Sequence, residues 1–109
     1  MHEVGLAAEV LAIATDRAAG RQVRKVTVEV GQLTAVLPDA LRFAFELLRD
    51  DNGLPGAELE LVIVPARARC RSCGAVTERS EPFAWCACGG FDLEWLAGAE
   101  PRVLALEVV

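Results

Sequence analysis

"VRKVTVEVGQLTAVLPDALRFAFELLRD", residues 23–50, holds two periods in one run, and the change from one to the other decides the fold. In its first part Val26, Val28 and Val30 alternate with Thr27 and Glu29, the period of a strand with one buried face, which should end at Gly31. The pattern then turns helical. Pro38 suits a first helical position, Asp39 the first turn and Arg49 the last, and Asn52 and Gly53 follow as a stop. A helix is therefore expected over residues 38–49.

Towards the amino terminus, Glu3–Ala19 reads as an amphipathic helix ending at Gly20. Val4, Ala7, Ala8 and Leu11 recur with helical spacing, and Leu6, Val10 and Ile13 broaden the stripe. Towards the carboxyl terminus, "AELELVIVP" (57–65) alternates Leu59, Leu61 and Ile63 against Glu58 and Glu60 until Pro65, and "RVLALEVV" (102–109) has the same character. Helix, strand, helix, strand, a cysteine-rich excursion and a returning strand predict an α+β chain: a two-layer domain of two helices on a three-stranded mixed sheet, with a small zinc-ribbon domain inserted. The boundaries expected are 1–65 plus 101–109 for the two-layer domain and 66–100 for the ribbon. Neither an internal repeat nor a low-complexity linker separates them, so the ribbon should join through continuous strands.

Hydrophobic residues at 53% and charged residues at 25% are globular rather than disordered proportions. A chain of 109 residues holds one domain with a satellite, not two independent cores. The net charge of -5 opposes a nucleic-acid partner, because affinity for phosphate backbones comes from clustered Lys and Arg. Arg67, Arg69 and Arg71 are a local exception, read as a solvated strand face among Glu78, Glu81, Asp92 and Glu94. The first residues lack a basic stretch followed by an apolar run, and no apolar run approaches the roughly 20 residues that span a bilayer. A cytoplasmic protein with no membrane partner is expected, and there four cysteines in two close pairs favour a metal over disulfides.

"CRSCGAVTERSEPFAWCACGG" (70–90) places Cys70 and Cys73 in one pair and Cys86 and Cys88 in a second. Two sulfurs on one turn facing two on another close a tetrahedral tetrathiolate, the ligand set of structural Zn(II), and leave no open position for catalysis. Gly74, Gly89 and Gly90 free the backbone to aim amides at the sulfurs. Apart from Phe83, Trp85, Phe91, Leu93 and Trp95 the segment has little to bury, and so small a unit needs a staple. Free thiols, a disulfide formed on oxidation, or iron in the same ligand set are the alternatives.

His2 is the only histidine of the chain, one residue from the terminal amine. An α-amine with a pKa near 7.7–8.0 is partly neutral at cellular pH, and so is the imidazole. If the His2 amide deprotonates, amine, amide and ring make a planar chelate of the kind Ni(II) or Cu(II) prefers, which Glu3 could complete. A frayed end is the alternative.

"MHE" at the terminus, a first helix, "VEVGQLTAVLPDALRFAFELL" and a two-pair cysteine ribbon closed by a short strand together resemble the hydrogenase nickel-incorporation proteins, the HypA/HybF family of nickel metallochaperones. The likeness covers essentially the whole chain. It implies a nickel metallochaperone carrying Ni(II) as transient cargo during hydrogenase maturation, with the maturation GTPase and the nickel-iron hydrogenase large subunit as partners. It implies nickel binding at Met1, His2 and Glu3 and zinc binding at Cys70, Cys73, Cys86 and Cys88. A homodimer is compatible with it. The chain departs from the family at its second pair, which is CxC rather than CxxC, with Trp85 standing where the third cysteine would fall. Such a turn makes a smaller chelate ring with a different N–H to sulfur geometry. With no histidine near the cysteines, no rearrangement that recruits one can operate here.

An enzyme is not expected: the chain has one histidine, no tyrosine and no Ser/His/Asp or Cys/His pairing. Asp50, Asp51, Glu58 and Glu60 read as a turn and a solvated strand face. The rival reading is a zinc-ribbon adaptor that binds protein or nucleic acid and never touches nickel. The acidic surface and the "PDALRFAF" helix are candidate partner contacts, although the apolar side of that helix is expected to be core.

Overall fold

In the computed structural model, which describes residues 2–34, 36–79, 86–98 and 101–109, the valine alternation becomes the central strand of a sheet. Val26, Val28 and Val30 are buried in β1 (Val23–Gly31), and Thr27 and Glu29 between them are half-buried. The sheet is completed by β2 (Glu58–Val64) on one side and β6 (Arg102–Val108) on the other. The Thr27 hydroxyl reaches Glu60 at 3.2 Å, and the Gln32 N–H donates to the Val64 carbonyl at 3.0 Å. Residue numbers rise together, so β1 and β2 run parallel. The Val109 N–H donates to the Gln22 carbonyl at 3.0 Å and Arg24 pairs with Glu107 at 3.3 Å, so β6 runs against β1. The sheet is mixed, as expected, and a helix makes the long crossover that its parallel pair requires.

That crossover is α2 (Pro38–Leu48), which follows α1 (His2–Ala18) and β1 in the chain. Pro38 occupies the first turn, and Leu37 before it is extended, with no side-chain cap of its own. Instead the Glu3 carboxylate, from the first turn of α1, accepts a hydrogen bond from the Leu37 N–H at 3.1 Å. At the other end Arg49 caps the helix, a 3-10 turn spans Asp50–Asn52, and Gly53 takes the left-handed conformation at φ 86. The Asn52 side-chain amide donates to the Leu48 carbonyl at 2.7 Å, satisfying an acceptor the helix leaves open.

The chain divides into two compact units: Met1–Val28, Val36–Val62 and Arg102–Val109 form the first, and Glu29–Ala35 with Ile63–Pro101 the second. In the first, α1 packs on α2 and β6. Its core takes Ala7, Val10, Leu11, Ala14 and Ala18 from α1, and Leu41, Ala44 and Phe45 from α2. This corrects the stripe expected on α1, since Val4, Ala8 and Ile13 are exposed. At about 100° per residue, Ala8 and Ile13 fall on opposite flanks of the line through Ala7, Leu11, Ala14 and Ala18. Alanine signals helix formation more than burial, which is why the second half of that line is hard to see in sequence. On β2, Leu59 and Leu61 are half-buried, but Ile63 is 51% exposed, against expectation. It groups with the second unit, outside the core that shelters the two leucines.

In the second unit β3 (Ala66–Cys70) lies between β4 (Val76–Arg79) and β5 (Leu93–Ala97), antiparallel to both. Only Pro65 separates β2 from β3, whereas the return from β5 to β6 passes through residues outside the described ones. Ala66, Ala68 and Cys70 are buried and alternate with exposed Arg67 and Arg69. Gly98 sits at φ 78, where a Cβ would lie 2.5 Å from the Ala66 Cα and 2.7 Å from the Pro65 carbonyl oxygen; a Cβ on Gly31 would overlap the Gly98 backbone. Neither glycine has room for a side chain.

Gly98→Ala should therefore destabilise by about 1–3 kcal/mol or more, since it adds a methyl against backbone at a left-handed position. Gly5→Ala is the opposite case: Gly5 lies in α1 with nothing within 4 Å of its added Cβ, and the change should stabilise by about 0.5–1 kcal/mol. Urea midpoints of the two variants should move in opposite directions.

Candidate metal centre

Two backbone turns bring the cysteines together. After β3, the Gly74 N–H donates to the Cys70 carbonyl at 2.8 Å and the Cys70 N–H to the Ala75 carbonyl at 2.9 Å, closing a turn that holds Cys70 and Cys73 on one side. The second turn is closed by the Gly89 N–H on the Cys86 carbonyl and the Cys86 N–H on the Gly90 carbonyl, both at 2.9 Å. Gly74 and Gly89 have φ of 79 and 92, conformations that side chains disfavour. Gly90 fits for another reason: a Cβ there would come within 3.0 Å of both the Cys70 sulfur and the Ser72 hydroxyl. Its missing side chain lets the second turn close on the first.

The four sulfurs lie within 4.8 Å of one another, with Cys70 to Cys88 and Cys73 to Cys86 each at 3.6 Å. A metal at about 2.3 Å from each of four tetrahedral sulfurs needs edges of about 3.8 Å. The observed spacing suits such an ion, and it is far beyond a disulfide bond. Cys70 and Cys86 are buried and Cys73 and Cys88 exposed, so each turn offers one sheltered and one accessible sulfur.

The two turns polarise their sulfurs unequally. The Cys73 amide, with that of Ser72, stabilises the Cys70 thiolate against the opposing effect of burial, and the thiol is lowered to about 6. In the CxC turn the Cys88 amide is the main influence lowering Cys86. Cys88 receives the Gly90 N–H at 3.4 Å, which favours its thiolate, but hydrogen bonds to the sulfurs of Cys86, Cys73 and Cys70 outweigh that and push it up to about 12. The shorter pair thus supplies one amide to its first sulfur where the longer supplies two. Of Gly74, Gly89 and Gly90, only Gly90 aims its own amide at a sulfur, while Gly74 and Gly89 donate to the carbonyls of Cys70 and Cys86.

The arginines beside the cluster are not a free basic stripe. Arg69 pairs with Glu94 at 3.4 Å and Arg71 with Asp92 at 3.3 Å, while Arg67 stands opposite Glu78 in the β3–β4 register. An acid on β5, one in the segment before it and one on β4 face Arg69, Arg71 and Arg67 in turn, an arrangement that the sequence hinted at through Glu94, Asp92 and Glu78.

Of the other expected site residues, Met1 lies outside the described residues. His2 begins α1, but its side chain also lies outside them, as do Glu81, Phe83 and Trp85. Glu3 is placed, and its bond to Leu37 is a role that sequence reasoning missed, because no local pattern marks a carboxylate serving another helix 34 residues away. Among the described residues no helix is long and apolar enough to cross a membrane.

Residues 1–108 match the family model described as HypA, hydrogenase/urease nickel incorporation, metallochaperone. The chain is 44% identical over 109 residues to a hydrogenase maturation factor HypA of Geotalea uraniireducens, covering 99% of both. It is 39% identical over 108 residues to one of Trichormus variabilis, covering 99% of this chain and 96% of that one. In fold it is similar to the solution structure of the Ni metallochaperone HypA from Helicobacter pylori, with a TM-score of 0.79 at 22% identity over 98% of this chain and 97% of the other.

Because a metal must displace thiol protons, uptake by the cysteine cluster should weaken as pH falls through about 6, where Cys70 gains its proton. A titration of metal-free protein with Co(II), read by its thiolate absorption, should show that loss; uptake undiminished well below pH 6 would contradict it.

Proposed function

The chain belongs to the HypA family of hydrogenase/urease nickel-incorporation metallochaperones, and on that footing we propose that it binds Ni(II) at its amino terminus and delivers it to nickel-iron hydrogenase during maturation. The match over residues 1–108 carries this reading, for it takes in both the Met1-His2-Glu3 terminus and all four cysteines. The family is one of metallochaperones, and cargo handling needs no chemistry on a substrate. In this proposal the maturation GTPase and the hydrogenase large subunit are the partners and the cytoplasm is the site of work.

Nickel would be held by the Met1 amine, the His2 amide and ring, and the Glu3 carboxylate. The backbone supports this in one respect: His2 is the first residue of α1, and the first amides of a helix have no acceptor within it. Deprotonating the His2 amide therefore breaks no helical hydrogen bond. Glu3, tied to the Leu37 N–H, fixes where the first turn of α1 sits, and any nickel it binds must share or replace that bond. Exchangeable donors at a chain end suit a carrier, which must release what it binds. Protons compete for the amine and imidazole, so nickel affinity should fall as pH drops through roughly 7 to 6.

The metal of the cysteine cluster is proposed to be Zn(II), held by Cys70, Cys73, Cys86 and Cys88. When bound it supplies a closed four-sulfur staple without redox chemistry. The second unit then uses a metal where a small segment cannot build a sufficient core. The proposed division of labour puts nickel on 1–65 plus 101–109 and zinc on 66–100, although by compactness Glu29–Ala35 and Ile63–Pro65 group with the cysteine-bearing unit.

Nickel titration by calorimetry of untagged protein, of His2→Ala and of a version with one extra residue before Met1 tests the terminus. Both altered proteins should lose at least about tenfold in affinity, roughly 1.4 kcal/mol. Nickel bound equally well by either would sink the terminal site and favour an adaptor that never touches nickel. Metal analysis should find one zinc per chain, retained in His2→Ala and lost in Cys73→Ser.

A further inference from the structure

Two large apolar side chains of α2 have no cover. Phe43 is 67% exposed and Leu47 65%, while Leu41, Ala44 and Phe45 on the other side of the helix are buried. The apolar side expected to be core is buried, and Phe43 and Leu47 lie off it. Asp39, Phe43, Glu46 and Leu47 follow at helical spacings that share a face, Asp50 continues the line into the 3-10 turn, and all five are exposed. The result is a pair of apolar knobs set among three carboxylates.

The cations nearby do not offset that charge. Arg42 turns to Asp39 at 3.9 Å and Arg49 to Asp50 at 3.6 Å, and among the described residues neither Glu46 nor Asp51 has an ion-pair partner. Four carboxylates (Asp39, Glu46, Asp50, Asp51) against two guanidiniums leave this segment with two negative charges. A second copy of the chain is a poor cover. Every ionisable group of the stripe is acidic, so an antiparallel pairing that sets Phe43 on Leu47 brings Asp39 to Asp50 of the other copy, and a parallel one sets each acid against itself. Nucleic acid is excluded by the sign of the charge.

We propose that the outer face of α2 docks a cationic amphipathic segment of a partner protein, whose apolar side chains cover Phe43 and Leu47 and whose lysines or arginines lie over Glu46 and Asp50. Removing a phenylalanine and a leucine from water supplies the attraction, and the acidic border orients the partner and makes its binding salt-sensitive. Through the Glu3–Leu37 bond the first turn of α1 lies at the start of this helix, so a partner seated here lies beside the terminus proposed to hold nickel. The docking face does not depend on that nickel site, and its test involves no nickel.

The probe is a short helical peptide of leucine and lysine, compared with a leucine and glutamate peptide of the same apolar face. Both are titrated into the full chain and followed by fluorescence anisotropy. The lysine peptide should bind one to one, more weakly as salt rises. Its affinity should fall at least about tenfold in Phe43→Ser and in Glu46→Lys. Glu58→Lys, the same charge change at an exposed position of β2, should leave it nearly unaltered. Both tested side chains are exposed, so the fold should survive, and Glu46→Lys keeps the test alive if Phe43→Ser does not fold. Equal binding of the glutamate peptide, indifference to Glu46→Lys, or an equal loss in Glu58→Lys overturns the proposal. So does self-association of the chain that Phe43→Ser abolishes.

Discussion

Four sulfurs within 4.8 Å of one another are the constraint on which the cysteine-bearing unit depends. As thiols they offer little cohesion, and as thiolates they repel at close range; only a cation lets all four ionise together. The backbone anticipates that state unevenly. Amides of Ser72 and Cys73 already favour charge on Cys70, whereas Cys88 keeps its proton to about 12 by donating to its neighbours. A bound ion would reverse that last preference by replacing the hydrogen-bonded proton with a bond to metal. Everything around the cluster serves this convergence: β3 delivers Cys70 at its buried end, the two turns set the sulfur pairs, and Gly90 yields the space in which the turns meet.

The Cys86–Cys88 pair is one residue shorter than the Cys70–Cys73 pair, and the two turns differ accordingly. One residue fewer leaves one amide rather than two for the first sulfur of the turn, yet the sulfurs still reach their opposite numbers at the same 3.6 Å on both sides. Convergence is set by how the turns face each other. Polarisation is set by how many residues lie within each turn.

The first unit has a different logic. Its core is apolar and conventional, with Phe45, Leu11 and Leu41 its largest fully buried side chains, but the start of α2 is held by a polar contact from the far end of the chain's first turn. Glu3 supplies the cap that Leu37 cannot. Glu3, on the first turn of α1, therefore positions the helix whose outer face carries Phe43 and Leu47. The chain places the first turn of α1, the start of α2 and an exposed apolar surface in one part of the fold.

The sequence alone determined the order helix, strand, helix, strand, cysteine-rich segment, strand, the valine face of β1, and the start of α2 at Pro38 with its stop before Asn52-Gly53, because these rest on local periodicity and on the backbone preferences of single residues. It also named the four cysteines, whose chemistry is carried by residue type and spacing. Tertiary structure decided the rest. Alanines took over the buried line of α1 where Val4, Ala8 and Ile13 looked equally suited, since hydrophobicity ranks residues without saying which flank of a helix meets its neighbour. Arg69 and Arg71 found acids on β5 and in the segment before it, Phe43 and Leu47 were left outside while Phe45 went in, and Glu3 reached Leu37. Each of these is a contact between residues distant in sequence, and such contacts exist only once the chain has chosen its neighbours.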